Sequence, residues 1–178
     1  VLALQAYPDF NPNSVATQWE TLRDHKDSPL VNRATQGVYP PGSTFKTVTA
    51  LAAMEHYPNW QNFTVECTGE MDFQDKVIHC YNNRAHGTVD MKAALAASCN
   101  CYFAQLSQLI GGATLQEYVE KFGLTAAMSI DGIRTEPGNF STADAADVNV
   151  AWAAVGQYTD LVNPATFLNF VGTVANGG

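Results

Sequence analysis

Positive charge and long apolar runs are both scarce in this sequence. Nine Lys and Arg stand against seventeen Asp and Glu in 178 residues, which gives a formal net charge of −8. The few basic residues are scattered, so the positive patch that nucleic-acid binding requires is absent and we expect no nucleic-acid partner. The longest apolar runs, such as 48–54 and 91–97, are short and interrupted by Thr or Lys. None of them is long enough to span a bilayer.

A signal peptide is also lacking. The chain opens on Val1-Leu2-Ala3-Leu4, which predicts a strand to Tyr7, so we expect a trimmed or processed piece whose missing leader says little about location. What is present is an ordinary globular composition, with 46% hydrophobic and 15% charged residues. Helical patterns outnumber strand patterns, and their order indicates one domain of the α+β class.

Cysteine occurs four times. Cys67 and Cys80 flank a segment with turn character, so they are candidates for a disulfide across a hairpin. Cys99 and Cys101 are two residues apart on a predicted helix, point to different sides and are expected to stay free. The alternative is four reduced, buried thiols. Zinc is disfavoured and no metal ligand is predicted, because there is no Cys-x-x-Cys pair and His79, beside Cys80, has no matching ligand set.

The stretch Tyr39-Pro40-Pro41-Gly42-Ser43-Thr44-Phe45-Lys46 sets a serine and a lysine three residues apart. Apolar residues at near 3.6 spacing follow it, which predicts that a helix begins here. Residues at i and i+3 share a helix face, so Ser43 Oγ and Lys46 Nζ are expected to meet. A primary amine beside a hydroxyl at the positive end of a helix is one way to make serine nucleophilic without histidine. The simpler alternative is a serine N-cap followed by a solvated lysine.

A second polar pair lies within a predicted long helix from Met91 to about Ile110, with Asp90 as its N-cap. Ser98 and Asn100 stand among apolar neighbours there, and buried polar groups need partners. Taken alone, the simpler interpretation is that Ser98 bonds back to a helix carbonyl and Asn100 satisfies a neighbouring loop. The other predicted elements are hairpin arms at 63–66 and 76–79, helices at 114–122 and 142–155, and a final helix capped by Asn163 that runs to about Ala175.

Taken together and in order, these stretches resemble the transpeptidase domain of penicillin-binding proteins. The resemblance covers essentially the whole chain, because residues 1–13 at the start and Gly156-Gln157 and Asn163-Pro164 near the end are similar to the same domain. Ser-x-x-Lys at 43–46 followed by Ser-x-Asn at 98–100 makes it specific. It implies a penicillin-binding-protein/β-lactamase-like transpeptidase fold over residues 1–178, a helical subdomain with the N-terminal part of an antiparallel sheet. It also implies a place on the extracytoplasmic face of the bacterial cell membrane and no cofactor.

The resemblance assigns a role to each of four residues. Ser43 would attack the carbonyl between two D-alanines of a peptidoglycan stem peptide and become acylated, and Lys46 would accept its proton. Ser98 would relay a proton to the leaving amine, and Asn100 would bind the substrate amide and Lys46. β-Lactam antibiotics would acylate Ser43 in place of the stem peptide. Lysine acts as a base only if burial lowers its pKa, which the apolar surroundings of both motifs favour.

One part of the family pattern is missing from this sequence. The family uses a third motif, Lys-(Ser/Thr)-Gly, to bind the substrate carboxylate and to complete the oxyanion hole. None of the lysines here is followed by Ser-Gly or Thr-Gly. We therefore expect a partial domain whose later sheet strands are absent. An apolar helix face would then be covered by the remaining C-terminal segment of the domain or by a self-associated copy.

Two alternative functions share this fold. A β-lactam hydrolase is one, since 134–139 faintly resembles the loop that carries the deacylating glutamate in class A β-lactamases. The spacing from Glu136 to Asn139 is three rather than four, however, and fits an acidic turn better. A β-lactam-binding sensor module without turnover is the other. A lasting acyl-enzyme separates the transpeptidase from the hydrolase, and release of D-alanine separates it from the sensor.

Overall fold

The structure is a computed structural model, and it describes residues 3–73 and 76–178. The chain divides into two units. The helical unit comprises Pro40–Phe122 and Asn139–Leu161, and the terminal unit comprises Val1–Tyr39, Gly123–Gly138 and Val162–Gly178. Helices and short antiparallel strands are combined in the chain, so the predicted α+β class is confirmed. Within the described residues, no helix has both the length and the hydrophobicity that crossing a lipid bilayer requires.

The helices, in chain order, are α1 (Val15–Arg23), α2 (Lys46–His56), α3 (Met91–Ala97), α4 (Asn100–Ile110), α5 (Gly112–Lys121), α6 (Asp147–Ala153) and α7 (Pro164–Ala175). The strands are β1 (Val65–Cys67), β2 (Glu70–Phe73), β3 (Lys76–His79), β4 (Gly87–Val89), β5 (Ser129–Ile130) and β6 (Ile133–Arg134). Antiparallel pairs join β1 with β4, β2 with β3 and β5 with β6. A 3-10 turn, Gly42–Phe45, leads directly into α2.

The core of the helical unit forms around α2. Alanine recurs along this helix, and its small side chains let α4 and α5 pack closely against it. Thr49 of α2 is buried and its hydroxyl donates to the carbonyl of Ala154 at 2.9 Å, which ties α2 to the end of α6. Each large apolar side chain buried here stabilises the fold by roughly 1.5–3 kcal/mol. The large apolar side chains that are 0% exposed in this unit are Phe45, Val48, Ile78, Tyr102, Phe103, Leu106 and Leu115.

The predicted continuous helix over 91–110 is wrong, because the chain breaks after Ala97. Ser98 adopts the left-handed conformation, with φ 54° and ψ 43°, and ends α3. Cys99 is extended and caps α4, where its sulfur accepts the N–H of Tyr102 at 3.5 Å. Serine in this conformation costs roughly 1–2 kcal/mol, a local strain that a helical pattern of apolar residues does not reveal. The break takes the carbonyl of Ser98 out of the helical ladder and leaves it available to side chains.

Strand pairing also differs from the prediction. Residues 76–79 do form a hairpin arm, but their partner is β2 rather than 63–66, and β1 pairs with β4. Short alternating runs fix which face is buried but not which strand is the neighbour. The strand predicted over 1–7 is not formed at 3–7, and Val1 and Leu2 lie outside the described residues.

Two helix starts follow their sequence signals. Asp90 caps α3 by accepting the N–H of Ala93 at 2.8 Å. Asn163 caps α7 by accepting the N–H groups of Ala165 and Thr166 at 3.1 and 3.3 Å. Both predicted N-caps are confirmed. Two other helices differ in extent, since α5 begins two residues before the predicted capping box and α6 is shorter than the predicted 142–155.

Candidate active site

Ser43 and Lys46 meet, as their spacing predicts. Ser43 is exposed in the 3-10 turn, whereas Lys46, the first residue of α2, is only 1% exposed. Lys46 Nζ donates to Ser43 Oγ at 3.1 Å. The hydroxyl therefore faces solvent while the amine beside it is withdrawn from water. Burial of Lys46 excludes the alternative of a solvated lysine behind a serine cap.

Four oxygen atoms surround the Lys46 amine. Besides Ser43 Oγ, they are the hydroxyl and the backbone carbonyl oxygen of Ser98, each 2.9 Å away, and Asn100 Oδ1 at 2.6 Å. One nitrogen atom thus joins two motifs that lie 52 residues apart in the sequence. The break between α3 and α4 makes this possible, because a continuous helix would direct the Ser98 carbonyl to the N–H four residues further on.

This set of partners accommodates the neutral amine as well as the ammonium form. A neutral lysine has two N–H donors and one lone pair, and the Ser98 carbonyl and Asn100 Oδ1 can only accept. These two oxygens take the N–H groups, which leaves the lone pair for a proton from the Ser43 or Ser98 hydroxyl. Burial lowers the pKa of Lys46 from 10.5 to about 8, although the nearby Cys80 and Cys99 side chains oppose the shift. The amine is therefore able to act as a base close to neutral pH.

The Asn100 side chain is oriented from two sides. Its Nδ2 donates to the backbone carbonyl of His79 at 2.7 Å, and its Oδ1 accepts from Lys46. An asparagine amide carries two N–H groups, so the second remains for a ligand carbonyl. Because His79 is the last residue of β3, this strand fixes one wall of the site.

The backbone before Ser43 depends on two glycines. Gly42 has φ 54°, and its N–H donates to the carbonyl of Gly156 at 3.0 Å. Gly156 has φ 76°, and a Cβ added there would collide with the carbonyl oxygen and nitrogen of Gly42. Only glycine fits at position 156. The chain just after α6 therefore clamps the segment that carries Ser43.

The polar groups of both motifs open onto one cleft of the helical unit. Tyr81 and Gln157 are exposed beside it, and neither was among the site residues predicted from the sequence. Trp152 is half-buried in the wall of this cleft. The cleft is lined by Ser43, His79, Cys80, Tyr81, Ser98, Asn100, Trp152, Val155 and Gln157. A nucleophilic hydroxyl, a buried base, a second hydroxyl and an amide donor together suit acyl transfer through a serine ester.

The four cysteines are free and buried. The predicted Cys67–Cys80 disulfide is not formed, since the two sulfurs are 3.6 Å apart and a bond requires about 2.05 Å. Cys99 Sγ lies 3.8 Å and Cys101 Sγ 3.6 Å from Cys80 Sγ. His86 Nδ1 lies 3.4 Å from Cys67 Sγ. The ligand-type atoms of Cys67, Cys80, His86 and Cys99 all lie within 4.8 Å of one another, and His79, the histidine considered in the sequence, is not among them.

Glu136, the residue behind the hydrolase alternative, lies in the terminal unit. It is exposed, and its backbone N–H donates to the carbonyl of Thr35 at 2.8 Å. This contact uses the main chain alone and leaves the carboxylate in water. Residues 135–138 follow β6 without a turn, so the acidic turn that the sequence spacing favours is not formed there.

The sequence matches a known family along its whole length. The family profile described as the penicillin binding protein transpeptidase domain matches residues 1–178. The peptidoglycan D,D-transpeptidase PbpA of Mycolicibacterium smegmatis is 32% identical over 192 residues, which take in 100% of this chain and 38% of that protein. The peptidoglycan D,D-transpeptidase MrdA of Acinetobacter baumannii is 34% identical over 140 residues, 74% of this chain and 20% of that protein. The chain thus spans less than half the length of these relatives.

The fold has close counterparts among solved structures. Penicillin-binding protein A from M. tuberculosis, in a ceftriaxone acyl-enzyme complex, superposes with a TM-score of 0.89 at 27% identity. The match covers 99% of this chain and 42% of that chain. The transpeptidase fold expected from the sequence resemblance is confirmed.

Proposed function

The chain belongs to the penicillin-binding protein transpeptidase family, and we propose that it carries the nucleophile and the base of a peptidoglycan D,D-transpeptidase. The observation that carries this proposal is the buried Lys46 amine, 3.1 Å from Ser43 Oγ and 2.9 Å from Ser98 Oγ. An amine that contacts two hydroxyls can take a proton from one and return it through the other. Ser43, Lys46 and Ser98 are the catalytic residues in this proposal, and Asn100 binds substrate.

Acylation starts from neutral Lys46. Ser43 Oγ attacks the carbonyl carbon between two D-alanines of a stem peptide, and its proton passes to Lys46 Nζ. The tetrahedral intermediate collapses with cleavage of the C–N bond. The leaving nitrogen takes the proton of the Ser98 hydroxyl, which is replaced from Lys46. The products are an ester on Ser43 and free D-alanine; with a β-lactam, the leaving nitrogen stays tethered to the acyl group.

Transfer runs these steps in reverse with a second stem peptide. Its amine attacks the ester carbon, loses a proton through Ser98 to Lys46, and forms the cross-linking amide as Ser43 is released with its proton restored. The spare N–H of Asn100 holds the substrate amide during both steps. Proton transfers of this kind contribute about a hundred- to ten-thousandfold in rate.

The substrate carboxylate needs an anchor that these residues do not supply. The sequence holds no Lys-(Ser/Thr)-Gly motif, and the relatives are more than twice as long. We expect another segment of the protein to bring the anchor and to cover the apolar face of α7, where Leu168, Val171 and Val174 are 71%, 44% and 48% exposed. A second copy of the chain is the alternative cover. Size measurement of the 178-residue chain at several concentrations tests this expectation, which a compact monomer throughout would contradict.

The proposed reaction also implies the binding partners of the protein and its cellular location. Stem peptides and β-lactams would bind in the cleft, and peptidoglycan cross-linking occurs on the extracytoplasmic face of the cell membrane. The proposed steps use no cofactor, because each proton is carried by a side chain of the site.

Release of D-alanine from a stem pentapeptide tests the proposal. The protein, in the form in which the cell makes it, should release D-alanine and join the acyl group to an added amine. Ser43→Ala should abolish both reactions, whereas Ser129→Ala, which changes an exposed serine of β5, should leave them intact. Peptide binding without D-alanine release would favour the sensor module, and rapid turnover of a penicillin would favour the hydrolase; either result contradicts the proposal.

A further inference from the structure

We propose that His79, paired with Glu70, receives the acceptor amine of the transfer step and takes a proton from it, an inference that rests on the proposed function. His79 is the last residue of β3 and lines the cleft that holds Ser43. Its Nδ1 lies 3.4 Å from Oε2 of Glu70, the first residue of β2. Neither side chain takes part in the steps proposed above.

The transfer step requires a neutral amine. A primary alkyl amine such as that of lysine has a pKa of about 10.4, so fewer than about one molecule in a thousand carries a free lone pair at neutral pH. The route through Ser98 and Lys46 takes the proton that the amine loses as it attacks, and this proton restores the Ser43 hydroxyl. The other proton, which leaves the ammonium group before the attack, needs a different acceptor.

The β2–β3 hairpin places the pair on its outer face. Glu70 and His79 are directly opposite each other in the antiparallel register, so their side chains project from the same face. Asp72 alternates onto this face as well, and its negative charge adds to the attraction for an ammonium group. The inner face packs into the core through Met71, Phe73 and Ile78. The hairpin is therefore anchored on one side and presents its titratable groups on the other.

Glu70 determines which nitrogen of the imidazole is the base. A carboxylate beside Nδ1 favours the tautomer that keeps the proton on Nδ1, which leaves the lone pair on Nε2. The carboxylate also stabilises the imidazolium that forms when Nε2 takes a proton. The side chains of His79 and Glu70 are 47% and 58% exposed, so water can remove that proton afterwards. A pair this exposed contributes at most about 1 kcal/mol to stability, which makes a purely structural role a small one.

His79 is linked to the reacting atoms through one side chain. Its backbone carbonyl accepts a hydrogen bond from Asn100 Nδ2 at 2.7 Å, and Asn100 Oδ1 accepts from Lys46 Nζ at 2.6 Å. The cleft that His79 lines also contains Ser43 and Ser98. An amine that loses its proton at His79 therefore reaches the ester on Ser43 without leaving the cleft.

The protons and electron pairs of the step balance. The ammonium group of the acceptor gives one proton to His79 Nε2, and the lone pair that this frees forms the C–N bond at the ester carbon. The second proton passes through Ser98 and Lys46 to Ser43 Oγ as the C–O bond breaks. His79 then returns its proton to water, so the imidazole is neutral again for the next acceptor.

The partition of the acyl-enzyme between amine and water tests the role of His79. The protein, in the form in which the cell makes it, is given a stem pentapeptide and an acceptor amine, and the ratio of amide product to hydrolysed acid is measured by mass spectrometry. The rate of acylation does not affect this ratio. His79→Gln should lower the ratio by roughly tenfold or more for a primary alkyl amine. It should leave the ratio nearly unchanged for hydroxylamine, which is unprotonated at neutral pH.

Two further variants serve as matched comparisons. Glu70→Gln removes the charge that orients the imidazole and should show the same selective loss for the alkyl amine, to a smaller extent. His56→Gln changes an exposed histidine at the end of α2 and should keep both ratios.

The hydroxylamine measurement separates loss of the base from damage to the cleft. An unchanged ratio for the alkyl amine in His79→Gln, or losses of equal size for the two amines, would overturn the role of His79 while the acyl-enzyme route stands. If the unsubstituted protein forms no ester on Ser43, the proposed function itself fails, and with it the transfer step assigned to His79. The two failures are distinct, because only the second one shows in the acylation of Ser43.

Discussion

Asn100 Oδ1 lies 2.6 Å from Lys46 Nζ, although 54 positions separate the two residues in the sequence. In this contact one N–H of the lysine donates to an oxygen atom that can only accept a hydrogen bond. A second N–H donates to the Ser98 carbonyl oxygen, which is also only an acceptor. The lone pair of the neutral amine is thereby directed at a hydroxyl. The Lys46 amine is oriented by the second motif as much as by its own helix.

The rate of acylation should follow the protonation of Lys46. Only the neutral amine accepts the Ser43 proton, and burial places its pKa at about 8. The rate constant for reaction with a penicillin should therefore rise roughly tenfold per pH unit below that pKa and level off above it. Stopped-flow fluorescence with a labelled penicillin gives this profile. A rate that does not change between about pH 6 and pH 9 would show that Lys46 is not the base.

Lys46→Arg should remove the base without removing the positive charge. A guanidinium stays protonated at any accessible pH, so it cannot take the serine proton. Acylation should fall by about a hundred- to ten-thousandfold and lose the pH dependence described for the lysine. The same penicillin assay measures it. Near-normal acylation of this variant would assign the proton to another group.

Asn100→Asp should move the pH profile. A carboxylate 2.6 Å from Nζ favours the ammonium form and raises the pKa of Lys46, so a higher pH is needed to free the base. The rising limb of the acylation profile should shift to higher pH. Asn100→Ala is the control, because it removes the same contacts without adding charge and should slow acylation without that shift. Coincident profiles for the two variants would rule out control of the Lys46 pKa from position 100.

Gly156→Ala should disturb both stability and acylation. The added Cβ meets the backbone of Gly42, and alanine is strained at φ 76°. We expect the free energy of unfolding to fall by roughly 1–3 kcal/mol and the Ser43 turn to be displaced. Gly172→Ala in α7 is the control, since a Cβ added there meets nothing within 4 Å. This substitution should stabilise the helix by roughly 0.5–1 kcal/mol. Denaturant titration and the acylation rate should separate the two; equal effects would mean that the Gly42–Gly156 contact does not hold the nucleophile.

Asn163→Ala should cost more than the loss of a helix cap. Besides capping α7, the buried Asn163 donates to the carbonyls of Thr35 and Gly37 at 2.8 Å each. Losing the cap costs about 1 kcal/mol, and leaving the buried Gly37 carbonyl unpaired costs roughly 1–3 kcal/mol more, whereas the Thr35 carbonyl keeps the Glu136 N–H. Asp90→Ala removes only an exposed cap and should cost about 1 kcal/mol. Urea unfolding of both variants checks the difference, and equal losses would contradict it.

The sequence was sufficient to find the proposed catalytic pair, Ser43 and Lys46, but not to predict how the rest of the candidate site is assembled around it. The spacing of Ser43 and Lys46 places both on one face of any helical turn, so their contact does not depend on the rest of the fold. Ser98 and Asn100 were recognised only as a motif. Their approach to Lys46 needs a left-handed Ser98 in the middle of a run of apolar residues with helical spacing. No local preference predicts that break, because tertiary contacts with Lys46 compensate for it.

The proximity of Cys67, Cys80, His86 and Cys99 could not be predicted from the sequence, for a related physical reason. These residues come from β1, the end of β3, the approach to β4 and the cap of α4, so their proximity depends on strand pairing. Periodicity over three or four residues does not specify a partner strand, and the predicted pairing was wrong. With β1 assigned to the wrong neighbour, His86 had no reason to lie near Cys67.

The site of acylation tests the central claim most directly. The protein is incubated with a penicillin in the form in which the cell makes it, digested, and the modified peptide is identified by mass spectrometry. We predict one adduct, on the Ser43 hydroxyl, absent in Ser43→Ala and formed far more slowly in Lys46→Arg. An adduct on any other residue, or no adduct in a folded protein, would contradict the assignment of Ser43 as the nucleophile.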